Sequence, residues 1–151
     1  MWDYPRPPRC ERSAQRIEVV YNKVVIASTV QAWRVLETSH PPVYYIPPDD
    51  IVTGALRPSG RRPSFCEFKG LATFFNVVVD DLVERDAAWA YPVPSAAFRD
   101  LADHVAFYPA RMDGCYVDGE LADPQPGGFY GGWITSKVTG PFKGGPGSHN
   151  W

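Results

Sequence analysis

Between positions 34 and 45 the sequence gathers Arg34, Glu37, His40, Tyr44 and Tyr45. These supply a planar guanidinium that can grip an anion, a carboxylate, an imidazole and two phenols. Such a set can orient a polar or anionic small molecule and move a proton on it, with Arg34 holding the anion and Glu37 or Tyr45 carrying the proton. The plainer reading is an Arg34–Glu37 ion pair beside a His40 exposed in a proline-rich turn. Cys66 and Lys69 stand three positions apart ahead of an apolar run. They read either as a catalytic nucleophile with a cation that favours its thiolate, or as an anion-binding lysine beside an inert thiol. A cysteine in such a place is more often a small buried hydrophobe. Trp89, Tyr91 and Tyr108 offer flat faces to a planar ligand, or simply fill a core.

Other chemistries find less support. Cys10, Cys66 and Cys115 are widely spaced and form no Cys-x-x-Cys pair, which speaks against a disulfide framework and a zinc site. His40, His104 and His149 are scattered, so neither a metal nor another cofactor is expected. Asp80 and Asp81 could bind a metal, but beside a strand end a solvated turn is the favoured reading. No Gly-x-x-x-x-Gly-Lys-Ser/Thr phosphate loop occurs, and the pairs Gly131, Gly132 and Gly144, Gly145 do not join a strand to a helix. The 15 basic and 17 acidic side chains leave a net charge of -2, so no overall field draws in nucleic acid or an anionic membrane. No run approaches the roughly 20 apolar residues that span a bilayer, and the N-terminus lacks the apolar core of a signal peptide. The expectation is a cytoplasmic protein whose partner is a small-molecule ligand, with no nucleic acid and no membrane; its oligomeric state is open.

The elements that must position these residues read mainly as strands. A length of 151 residues with 44% apolar side chains suits one domain with a real core. Residues 1–15 form an expected extended N-terminal arm, rich in proline and able to pack through Trp2 and Tyr4, and residues 16–151 a single β-dominated domain. Two β-branched runs flank Asn22 and Lys23 as a hairpin; residues 30–36 and 43–46 are strands broken by prolines. In the first of these, Arg34 shares a face with Ala32 and Leu36 and is expected to point inward or into a cleft. Residues 57–63 form a basic surface loop, and residues 71–79 with 82–84 suggest a further hairpin. Ser95 as a cap, then Phe98, Leu101, Ala102, Val105 and Ala106 at helical spacing, predict one short α-helix near residues 95–108. Beyond it, residues 114–121 read as a strand and turn. The Gly/Pro/aromatic-rich tail, with Phe129, Tyr130, Trp133, Phe142 and Trp151, is expected to wrap over the domain.

Five stretches in fixed order carry a family resemblance: RVLETSHPPVYYIPPDD at 34–50, CEFKGLA at 66–72, AWAY at 88–91, FYP at 107–109 and GGFYGGW at 127–133. Over about residues 16–147 the chain resembles the family called domain of unknown function 427, some of whose members bear the label nucleotidyltransferase. The resemblance implies a compact, mainly antiparallel β-sheet or barrel-like fold with one short helix, and it sets Cys66 and Lys69 inside a family motif. Three functions compete. The first is a small-molecule binder or enzyme, its aromatic-lined pocket holding a polar or anionic ligand through Arg34, Lys69, Trp89 and Tyr108, with Glu37, Tyr45 and Cys66 as catalytic candidates. The second is a protein-interaction module that uses the aromatic and proline-rich termini. The third is a metal-dependent nucleotidyltransferase, which the family label implies.

Overall fold

The computed structural model describes residues 9–36, 41–66, 69–125 and 131–136. Glu37, His40, the first eight residues and most of the aromatic tail lie outside that description. Among the described residues fourteen strands follow in chain order: β1 Arg9–Arg12, β2 Ile17–Tyr21, β3 Val24–Thr29, β4 Trp33–Leu36, β5 Val43–Tyr45, β6 Leu56–Pro58, β7 Ser64–Cys66, β8 Gly70–Val79, β9 Leu82–Ala90, β10 Val105–Phe107, β11 Gly114–Val117, β12 Glu120–Leu121, β13 Asp123–Pro124 and β14 Trp133–Ile134. All strand pairs are antiparallel. The arm is thus a strand in its second half, since β1 pairs with β4.

Turn chemistry sets the hairpins. Asn22 and Lys23 both take left-handed backbone (φ 49° and 63°), the geometry that matches a two-residue turn to the twist of β2 and β3. Asp118 and Gly119 (φ 50° and 84°) do the same between β11 and β12. The hairpin of β8 and β9 turns at Asp80 and Asp81, as the sequence suggests, and carries a register shift between Phe75 and Val77. There Asp86 is left-handed (φ 51°) and its N–H donates to Asn76 Oδ1 at 3.0 Å.

At β10 and the last residues of β9, sheet β10-β9-β8-β6 is covered on both faces. Successive side chains of a strand point to opposite sides. Accordingly Ala88 and Ala90 of β9 join a large core with Ile17, Val19, Ile46, Phe107 and Trp133, while Trp89 joins a second cluster with Val35, Tyr45, Phe74, Tyr91 and Leu101. In β5 the same alternation sends Tyr44 to the first cluster and Tyr45 to the second. Backbone bonds between Ile46 and Val105, 2.8 and 2.9 Å, continue sheet β1-β4-β5 into β10. No sheet among the described strands closes into a barrel.

The expected helix near residues 95–108 takes a different form. A 3₁₀ segment, Ala96–Leu101, is kinked at Phe98 (φ -119°, ψ 19°), and residues 105–107 are strand β10. Phe98 and Leu101, three apart, still turn the same face to the second cluster, as the tighter 3₁₀ pitch allows. Asp103 at φ 60° then ends the helical path, and pairing with β9 satisfies the backbone of β10 while all three of its side chains are buried. Two further 3₁₀ turns, Pro48–Asp50 and Pro109–Arg111, begin on prolines, whose fixed φ and missing N–H suit a first helical position.

Candidate functional site

The second cluster is hollow. A cavity of about 340 Å³ opens into it, lined by Val35, Tyr45, Cys66, Lys69, Phe74, Trp89, Tyr91 and Tyr108 among others. That size falls in the usual range of small-molecule sites. Its wall is built by strand alternation: β4 gives Val35, β5 Tyr45, β7 Cys66, β8 Phe74 and β9 Trp89.

Trp89 is the central ring. Its Nε1–H donates to the Tyr45 hydroxyl at 3.3 Å, and the two rings meet edge to face at 6.1 Å. Tyr108 lies against its other side at 4.5 Å, and Tyr91 sits 6.2 Å from Tyr45. This gives a rigid aromatic wall, with polar edges in the phenol groups. Gly131 closes the wall from the C-terminal part of the chain, so close that a Cβ there would overlap the edge of the Trp89 ring. Gly132 is held as tightly between Pro41 and Gln125.

Lys69 brings a charge to the wall. It is only 6% exposed, yet it lines the cavity. Its Nζ lies 5.7 Å from the Phe98 ring, and its carbonyl accepts the Ser95 N–H at 2.9 Å, which fixes the lysine's backbone to the 3₁₀ segment. Gly70 follows in left-handed backbone (φ 110°) and passes so near the Val93 carbonyl that a Cβ would sit 3.3 Å from it. A glycine is therefore required where the chain turns from Lys69 into β8. At the mouth the guanidinium of Arg61 stacks 3.9 Å above Phe74.

On β1, Cys10 packs against the same cluster. Burial pushes its thiol up to about 11; the carboxylates of Asp100 and Glu11 push the same way and the Lys69 ammonium opposes them. Cys115 lies in the main core, where burial raises its thiol as well.

Of the seven residues singled out from sequence, five line this cavity: Tyr45, Cys66, Lys69, Trp89 and Tyr108. Arg34 does not. Its Nε donates to Glu11 Oε1 at 2.6 Å and its Nη2 contacts the same oxygen, at a shallow depression beside Ser13 and Asp118. Strand alternation explains this, because Arg34 stands opposite Tyr44 in the register while its neighbour Val35 faces the cavity. Its ion pair is with Glu11, a partner from the arm that spacing did not suggest; Glu37 lies outside the described residues. Sequence reading also passed over Arg61, taken as part of a surface loop, and Gly131. The signal for Gly131 was a pair of adjacent glycines among aromatics, where a backbone must pass against a ring. Among the described residues, no three His, Cys, Asp or Glu side chains gather as a metal site, and no helix is long and apolar enough to cross a membrane.

Residues 9–118 match a family described as "Domain of unknown function (DUF427)". No curated protein matches the chain.

Proposed function

The chain belongs to the Domain of unknown function (DUF427) family, and for it we propose the role of a small-molecule binder whose ligand lies in the aromatic cavity with an anionic group turned toward Lys69. One observation carries this reading: a lysine at 6% exposure lines a cavity of about 340 Å³ walled by aromatic rings. A buried ammonium in such surroundings favours an anion, because the low local dielectric strengthens the attraction. The rings supply flat contact area for the rest of the molecule. If the bound molecule is also transformed, the Tyr45 phenol and the Cys66 thiol are the proton-transfer and nucleophilic groups that line the same space. A reducing cytoplasm suits the three free cysteines.

The test compares 3-phenylpropionate with its uncharged amide by isothermal titration calorimetry. The acid is expected to bind more tightly by about 1.5–3 kcal/mol, the usual worth of a hydrogen bond to a charged group. Lys69→Met is expected to abolish that preference. Equal binding of acid and amide to the unaltered protein, or a preference that survives Lys69→Met, defeats the reading.

A further inference from the structure

A second recess of about 520 Å³ lies between the loop at residues 59–61 and the register shift of β8 and β9. It is lined by Ser59, Gly60, Arg61, Asn76, Arg85 and Asp86, and Arg61 also lines the aromatic cavity. We infer that the two spaces are halves of one site with Arg61 as their common wall, and that the natural ligand is an elongated molecule with a second anionic group, a phosphate or a carboxylate, seated at Arg61 and Arg85. This inference rests on the binding role proposed above and adds the ligand's class.

Three features of the recess support it. Its guanidiniums present fixed forks of donors suited to an oxyanion. The Arg61 fork is held in place by stacking on Phe74, so less side-chain freedom is lost when it binds. The Asn76 amide is oriented too: its Oδ1 accepts the Asp86 N–H at 3.0 Å, which identifies Nδ2 as its donor end. Tyr108 lines the aromatic cavity. Burial raises its phenol above the ordinary value, and the charges that then act on it are Arg61 and Arg111, which lower it, and Asp86, which raises it. A cavity-lining ring therefore senses charges of the second recess. The Asp86 carboxylate opposes an anion there, and two arginines outweigh it.

Calorimetry with 3-phenylpropionate and 3-(4-phosphonomethylphenyl)propionate separates the claims, with the para-carboxymethyl analogue as the carboxylate arm. In the unaltered protein at least one doubly anionic probe is expected to bind about 10-fold or more tightly than the singly anionic one, as for one further charge-assisted contact. That ratio should fall toward one in Arg85→Gln, a substitution at an exposed position outside the core. It should rise in Asp86→Asn, which removes the repulsion and keeps a residue that tolerates left-handed backbone. Equal binding of all three probes, or a ratio indifferent to Arg85→Gln, overturns the second subsite and leaves the cavity reading standing. Failure of every probe to bind overturns both.

Discussion

At the scale of single residues, the three thiols meet three different surroundings. Cys66 is partly exposed and lines the cavity, Cys10 is half-buried with its thiol pushed up to about 11, and Cys115 is buried in the main core. The thiolate is the form that reacts with an alkylating agent. The raised pKa therefore keeps Cys10 protonated and unreactive at neutral pH, and its labelling should accelerate as pH climbs toward 11. Iodoacetamide at pH 8, followed by peptide mass spectrometry, is expected to mark Cys66 first and Cys115 last. Rapid labelling of Cys10 at that pH would show that its surroundings are wetter than the packing against β4 indicates. The residue scale is also where sequence reading was weakest. The types in the Arg34 to Tyr45 stretch were legible, but the face each side chain takes is decided by a register of one residue, which is why Tyr45 joined the site and Arg34 joined Glu11.

Individual elements were more legible where a local rule governs them. Asn22 and Lys23, Asp80 and Asp81, and the β-branched runs around them announced their hairpins, because turn and strand preferences are written in neighbouring residues. The stretch at 95–108 misled because Phe98, Leu101, Val105 and Ala106 satisfy both a helical face and a 3₁₀ turn followed by a strand buried on both sides. Only the partner strand β9 separates the two, and it is distant in sequence. Gly131 belongs to this scale as well, since it lets the chain press against the β9 tryptophan. Gly131→Ala puts a methyl group where the ring stands and should cost about 1–3 kcal/mol by overpacking. Displaced into the cavity, Trp89 should also weaken the binding of 3-phenylpropionate. Urea unfolding and calorimetry on the same variant would measure both, and an unchanged midpoint would mean the contact with Trp89 is loose.

At the scale of the whole molecule, two apolar clusters share the sheet of β8, β9 and β10, so the cavity wall and the main core are opposite faces of the same strands. The family match ends at residue 118, yet the core does not. Trp133 is fully buried, packs 5.1 Å from the Tyr44 ring, and donates its indole N–H to the Phe107 carbonyl at 3.3 Å. Its backbone N–H reaches the Pro42 carbonyl at 2.9 Å, and Ala122 adds to the same core. Residues beyond 118 thus fill space that the matched segment alone leaves open. Trp133→Ala should cost about 3–5 kcal/mol, the range for removing a large buried aromatic. Because β5 joins both Tyr44 to that core and Tyr45 to the cavity, the loss should be cooperative and not confined to the tail. A chain shortened to residues 1–118 should then lack a sharp thermal transition and the near-ultraviolet circular dichroism of packed aromatics, and the full chain should show both. If the shortened chain melts cooperatively at the same temperature as the full one, Trp133 is an accessory to the fold and the core closes without it.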